Sequence, residues 1–345
     1  TPYDGTSWMS GLSDDIYLNE VNLPGTHDSA SIGTHINPYV CQSETLTSQL
    51  NGGVRFFDIR IMVIEADVTY TNEYKHSLTY NSEYQFFTCH GYYGLYINAN
   101  QFQGLETAFN EFDDFIVDNP TETIVVSLKI DDYGTVTGDK RSNVRDSLSE
   151  FLSLYGNSIN NDINIPKLSD VRGKIYLLNR IYLDKRFGAY IDIYDNTNWQ
   201  MQPPISDYIN FYSFFQDHYN YNFFDANAVS NKKNLIIEAF SKYSNLYKNS
   251  SDPQIQTIIS KNPIMLNFIS GNIFYIFKMV MNKDIISYLG SFERSNRPNK
   301  LGWCPMDFSL VAYQVINNTY DRISLVQLII DSNYAYQKYP SNYSH

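Results

Sequence analysis

The sequence predicts an α/β fold, a (β/α) barrel, on three observations. Eight short apolar runs of strand length punctuate the chain, at 20–23, 54–63, 85–89, 123–129, 174–179, 211–215, 264–269 and 301–306. Helical patterns fall between several of them, which is the alternation of α/β architecture. A different polar residue, His27, Arg60, His90, Lys129, Arg180, Asp217 or Asp307, lies at or just after the end of most of these runs. Barrel enzymes gather their chemistry at the carboxyl ends of their strands.

The clearest helix is the stripe Phe102, Leu105, Phe109, Phe112 and Ile116, which Asn119-Pro120 ends before the run at 123–129. No internal repeat is present. Segments 65–84 and 183–208, rich in Tyr and Asn, read as long surface loops near the barrel mouth, and 333–345 reads as a frayed tail. A chain of 345 residues is ordinary for one elaborated barrel, so residues 1–345 are expected to form a single catalytic domain. At 43% hydrophobic and 18% charged it can bury a sizeable core.

A formal charge of −12 argues against a nucleic-acid binder, which must neutralise a phosphate backbone, and gives no long-range attraction to an anionic bilayer. No apolar run is long enough to span a membrane, and no leader precedes Thr1, as expected of a processed, secreted chain. Cys41, Cys89 and Cys304 show no metal-ligand spacing, and packing is the default for Cys89 and Cys304. Sequons at Asn249, Asn317 and Asn342 carry little weight in a chain rich in Asn and Ser. A monomer is expected.

Three residues carry the functional reading. His27 follows Leu23-Pro24-Gly25-Thr26, Arg60 closes Phe56-Phe57-Asp58-Ile59-Arg60, and His90 closes Gln85-Phe86-Phe87-Thr88-Cys89-His90. Two imidazoles and a guanidinium supply a base, an acid and a charge stabiliser, which is what metal-free phosphodiester cleavage requires. Singly, a His or Arg at a strand end is usually structural. His35, His76 and His345 read as solvated, His218 as a residue that could line the pocket, and Asp113-Asp114 as the polar face of a helix.

With these residues go Leu23-Pro24-Gly25-Thr26-His27-Asp28-Ser29, Gly53-Val54-Arg55-Phe56-Phe57-Asp58-Ile59-Arg60, Asp118-Asn119-Pro120-Thr121-Glu122-Thr123-Ile124, Arg172-Gly173-Lys174-Ile175-Tyr176-Leu177-Leu178 and Leu301-Gly302-Trp303-Cys304-Pro305-Met306-Asp307. In this order the chain resembles the bacterial-type phosphatidylinositol-specific phospholipases C, most strongly over 8–180. The resemblance implies a distorted, incompletely closed TIM-like (β/α) barrel that cleaves phosphatidylinositol, and often glycosylphosphatidylinositol anchors, with no cofactor and no metal. It implies His27 as base, His90 as acid and Arg60 as phosphate ligand, supported by Asp28, Asp58 and Asp307. It also implies inositol contacts from Lys129, Asp131, Arg180, Asp217 and Tyr219.

The expected reaction is attack of the inositol 2-hydroxyl on its own phosphorus. An internal nucleophile has most of its ordering entropy settled by the ring, so no Ser or Cys nucleophile is needed. His90, with Asp28, would protonate the departing diacylglycerol, leaving inositol 1,2-cyclic phosphate. Two alternatives are a metal-dependent glycerophosphodiesterase, against which stands the lack of a clear Glu/Asp ligand set around His27 and His90, and a catalytically silent inositol-lipid binding module. Relatives that work on bilayers expose tryptophan near the mouth, whereas here 35–50 holds Tyr39 and no Trp, and only Trp199 falls in a plausible rim loop. Transient membrane contact is therefore expected, aided by Tyr92, Tyr93, Tyr96, Phe223 and Phe224.

Overall fold

Strands apolar on both faces need cover on both faces, and the chain achieves this by curling its sheet around one core and wrapping helices outside it. The computed structural model describes residues 3–33, 39–65, 83–91, 93–94, 96–98, 101–134, 136–183, 187–205, 207–221, 225–248, 251–271, 275–313 and 322–334. The strands that matter here are β1 (Leu23–Thr26), β2 (Phe56–Glu65), β3 (Tyr84–His90), β4 (Thr123–Asp132), β5 (Lys174–Asn179), β6 (Ala189–Tyr190), β7 (Gln200–Gln202), β8 (Ser213–Gln216), β9 (Ile264–Asn267) and β10 (Trp303–Met306). They run in the order β6-β5-β4-β2-β1-β10-β9-β8-β7, parallel throughout except for the antiparallel pair β7/β8. Among the described residues the two ends, β6 and β7, do not pair, so the barrel is distorted and incompletely closed.

The helices lie outside. Phe57 of β2 meets Phe112 of α1 (Leu105–Asp118) at 4.9 Å between ring centroids, while Phe214 of β8 packs with Ala239 and Tyr243 of α2 (Ala228–Lys248). A third helix, α3 (Tyr275–Gly290), buries Met281, Ile285, Ile286 and Leu289 on one side and exposes Lys283 and Ser287 on the other. Inside the barrel, Phe56 of β2 lies against Trp303 of β10, with centroids 6.0 Å apart, filling the lower layer.

Several expectations need correction. The first strand is Leu23–Thr26, and 18–20 is a turn of 3₁₀ helix, not the start of a strand at 20. Pro24-Gly25 concealed the strand, since proline cannot donate to a ladder. The parallel pattern puts Gly53 O opposite the missing N–H, and Trp8 Nε1 donates to that oxygen instead, at 2.9 Å. Gly25 is required by space, because a Cβ there would sit 3.0 Å from Phe56 Cβ.

The run at 85–89 is not a barrel-wall strand. β3 pairs antiparallel with β2, Ile61 opposite Thr88, and returns from beyond the mouth. Segment 183–208, expected as a loop, supplies both edge strands of the open sheet, β6 and β7. Residues 66–82 of the other expected loop lie outside the described residues. The expected frayed tail begins too early: Asn333 is buried in the helix α4 (Leu325–Tyr334) and exchanges hydrogen bonds with the Asn22 backbone, fixing the helix to the root of β1. Residues 335–345 lie outside the described set.

Opposite the mouth, Arg55 and Glu122 form an ion pair with no exposed side-chain surface, at 2.8 Å. Arg55 also donates to the carbonyls of Gly5, Leu50 and Val54, while Glu122 accepts from the Met9 backbone. Removing one partner of such a pair strands the other. Glu122→Gln is expected to lower unfolding stability by about 3–5 kcal/mol. Urea denaturation checks this, and an unchanged midpoint would refute it.

Candidate active site

Alternation along the strands sets the site. Residues of like parity face inward, so above the layer of Phe56 and Trp303 come Asp58 and Arg60 on β2 and Asp307 just past β10. In register with Arg60 stands Lys129 of β4, followed inward by Asp131. The strand thus runs three residues beyond the expected 129, and Lys129 and Asp131 lie inside it. Arg180 follows β5 and donates its backbone N–H to Leu128 O, Asp217 follows β8, and His27 follows β1 with its N–H on Met306 O. Two left-handed residues turn the chain beside them, Asp28 at φ 43° and Phe308 at φ 48°. For a phenylalanine that conformation is strained, and strain of this kind clusters where surrounding structure fixes functional groups.

The three principal groups converge. His27 Nδ1 lies 2.9 Å from Asp307 Oδ1, which holds the ring by one nitrogen and turns Nε2 toward the mouth. That Nε2 is 3.7 Å from Asp28 Oδ2, and His90 Nε2 is 3.1 Å from the same oxygen. The other oxygen of Asp28 is 3.5 Å from Arg60 Nε. Arg60 directs Nε and Nη2 at Asp58 Oδ2, at 3.1 and 3.0 Å, and its Nη1 is 3.7 Å from Asp131. Side chains of His27, His90 and Arg60 are 17%, 19% and 14% exposed, so a ligand can reach them although most of their surface is dry.

The expected second ring of residues is partly assembled. Lys129 pairs with Asp131 at 2.6 Å, and Arg180 Nη1 lies 3.8 Å from Asp58 Oδ1. Both Arg180 Nη1 and Asp58 Oδ1 are buried without a hydrogen bond, which leaves directed polar atoms at the base of the mouth. Asp217 is buried beside them. Tyr219 is 39% exposed, and its hydroxyl donates to Asp195 Oδ1. His218 packs its ring on Tyr221, 4.5 Å between centroids.

Electrostatics follow from crowding five carboxylates, Asp28, Asp58, Asp131, Asp217 and Asp307, among five cations, Arg60, Lys129, Arg180, Lys232 and Lys278. Burial opposes the charged form of Asp58, yet Arg60 and Arg180 outweigh it and hold the carboxyl well below its ordinary range. Burial wins at Asp217 and raises it. At His27 burial favours the neutral ring, but Asp307 and then Cys41 overcome it and the pKa lies well above that of a free imidazole. At His90 burial prevails over Asp28 and the pKa is lowered. One proton on the histidine pair is the stoichiometry acid–base cleavage needs, and the opposite directions of the two shifts make His27 the more basic member of the pair.

Sequence reasoning missed three members of this shell. Lys232 of α2 is fully buried and donates to Gln216 Oε1 and His218 O, and burial, against Asp217 and Asp307, lowers its pKa to about 7. Lys278 of α3 and Cys41 pack behind His27. The signal was present for Lys278, a lone charge in the apolar stretch Ile276-Phe277-Lys278-Met279-Val280-Met281. No signal in the sequence marks Cys41. Ligand-type atoms of His27, Asp28 and Cys41 fall within 4.8 Å of one another, but Arg60 at 3.5 Å from Asp28 and Lys278 at 3.5 Å from Cys41 already neutralise that cluster, and no metal is assigned to it.

Trp199 precedes β7 at the mouth end of the sheet, where its half-buried ring stacks on Phe214 at 5.4 Å with Lys242 of α2 over it. The side chains of Tyr92, Tyr93, Tyr96, Phe223 and Phe224, and residues His35, His76, His345, Asn249, Asn317 and Asn342, lie outside the described set. Asp113 accepts from Ser158 Oγ on the helix surface. Cys89 and Cys304 are buried free thiols in strands, as expected.

Known proteins carry the same arrangement of chain. The 1-phosphatidylinositol phosphodiesterase of Staphylococcus aureus strain Newman is 27% identical over 354 residues, covering 95% of this chain and 94% of its own. The chain is a relative of the bacterial phosphatidylinositol-specific phospholipases C. The Listeria monocytogenes 1-phosphatidylinositol phosphodiesterase is 29% identical over 187 residues, covering 52% of this chain and 50% of its own. A solved structure of the S. aureus phosphatidylinositol-specific phospholipase C superposes with a TM-score of 0.70 at 24% identity, covering 96% and 98% of the two chains. The L. monocytogenes enzyme superposes at 0.61 and 20% identity, covering 97% and 100%. These two show the fold. No protein-family model matches the chain.

Proposed function

We propose that the chain is a phosphatidylinositol-specific phospholipase C, which cleaves the phosphodiester through the inositol 2-hydroxyl and releases diacylglycerol and inositol 1,2-cyclic phosphate. The observation that carries this is the single Asp28 oxygen approached by both imidazoles, with Arg60 on the other oxygen of the same carboxylate. A phosphate seated over Asp28 meets a nitrogen base, a nitrogen acid and a guanidinium at once. His27, backed by Asp307, takes the 2-hydroxyl proton, which its Nε2 can accept once His27 is neutral. Attack makes a new P–O bond, charge grows on the non-bridging oxygens under Arg60, and His90 gives its proton to the departing diacylglycerol oxygen. The phosphodiester brings a negative charge beside His90 and favours its protonated form, so the proton on the pair moves to where departure requires it.

Lys129, Asp131, Arg180 and Asp217 supply donors and acceptors suited to ring hydroxyls, and Tyr219 offers a face to the ring. Secretion and transient contact with a lipid surface complete the reading. Phosphatidylinositol in mixed micelles with excess EDTA is expected to give a five-membered cyclic phosphate signal in phosphorus NMR. Loss of activity in chelator would point to a metal-dependent phosphodiesterase, and lipid binding without turnover to a silent module.

A further inference from the structure

Behind the proposed base lies a buried cation that the reaction as described does not use. Lys278 projects from α3, 4% exposed, with Nζ 2.9 Å from Val40 O and 3.5 Å from Cys41 Sγ. Cys41 is fully buried, and Phe308 N donates to its carbonyl at 2.8 Å, which ties it to the residue after Asp307. Asn282, one turn further along α3, donates to Asp307 O at 2.6 Å. The helix thus grips the Asp307 turn through its backbone and brings an ammonium, held at Val40 O and Cys41 Sγ, close to the Asp307 carboxylate.

We infer that Lys278 is a positioning residue for the base: its ammonium keeps Asp307 ionised and offsets that charge, so that His27 can give up its proton in the working pH range. A carboxylate beside each nitrogen of His27, Asp307 at 2.9 Å on one side and Asp28 at 3.7 Å on the other, favours the imidazolium, and a cation next to Asp307 opposes that pull. The groups that face this corner are Asp307 past β10, Asp28 past β1, Cys41 in the segment before α3's contact, Arg60 from β2, His90 from β3 and Lys232 from α2. Arg60 is committed to Asp28, Asp58 and Asp131, and Lys232 to Gln216 and His218. Of the cations near Asp307, Lys278 is the one that acts on it most strongly. Burial opposes the ionised form of Asp307, and Lys278 followed by His27 lowers its pKa in spite of that.

The naming of His27 as base rests on the function proposed above, so the test reads His27 directly. The whole protein, labelled with ¹⁵N-histidine, is titrated by NMR as wild type, Lys278→Gln, Lys278→Met and Lys278→Arg, with His27→Gln assigning the resonance. Gln keeps a donor for Val40 O and drops the charge; Arg keeps the charge. Both neutral variants are expected to raise the His27 midpoint by about one pH unit, and Arg to leave it within about 0.3. In parallel, the acid limb of kcat/KM for phosphatidylinositol should move up by the same interval in Lys278→Gln, a loss of about tenfold below the limb that alkaline pH restores. A midpoint that stays put or falls in Lys278→Gln, or one that rises as far in Lys278→Arg, overturns the inference. If wild type cleaves no phosphatidylinositol while the midpoints move as stated, the functional reading fails and the role of Lys278 stands.

Discussion

Alanine at His27 is expected to cut kcat for phosphatidylinositol by about ten-thousand-fold with little change in thermal midpoint, and alanine at His90 to do nearly the same. The 2-hydroxyl is a very weak acid, so without a nitrogen base its attack on phosphorus is slow. Diacylglycerol is a poor leaving group, and without an acid it departs as an alkoxide. His27 is tied to the fold mainly through its backbone N–H on Met306 O and its carbonyl, which accepts from Gln42 Nε2, and both survive truncation at Cβ. The control is a substrate whose leaving group is already acidic, such as a nitrophenyl ester of inositol phosphate. His90→Ala should recover much of its rate there, while His27→Ala should not. Equal recovery of both, or none, would reverse or remove the assigned roles.

Arg60→Lys is expected to lower kcat/KM by about a thousand-fold, equivalent to roughly 4 kcal/mol of transition-state stabilisation. The loss is geometric. Arg60 spends Nε and Nη2 on Asp58 and holds Nε near Asp28, which fixes the plane of the guanidinium and leaves Nη1 beside Asp131. An ammonium carries the same charge at one point and cannot bond Asp58 while also reaching a non-bridging oxygen. Three carboxylates would then compete for a single cation, and the phosphate would meet their repulsion. Steady-state kinetics on Arg60→Lys measures this, with Arg60→Ala plus added guanidinium as the complement. Partial rescue by guanidinium, and none by ammonium, is the expected pattern. Activity within tenfold of wild type in Arg60→Lys would refute the role given to the fork.

Much of this was legible in one dimension. Parallel strands buried on both faces write themselves as continuous apolar runs, which is why 54–63, 123–129 and 174–179 could be read within a few residues of β2, β4 and β5. The same logic failed at β1, where Leu-Pro-Gly-Thr lacks strand propensity and its pairing is completed by the distant Trp8. It failed again at 183–208, because two- and three-residue edge strands carry too few residues to show a period.

The sequence alone determined which chemistry the site can hold: two imidazoles, a guanidinium and their carboxylates lie close enough to strand-like runs that side-chain parity could place them on one face. It also determined the kinship, since the blocks around His27, Arg60 and Asp307 survive in order. Only the tertiary structure decided that His90 arrives on an antiparallel return beside β2, and that a single Asp28 carboxylate joins all three groups. It alone placed Lys278 and Cys41 behind the base. The physical reason is separation. Periodicity reports what one element presents to its own surroundings, whereas the charge balance at His27 is set by β1, α3, the segment at Cys41 and the end of β10, which meet only when the barrel curls.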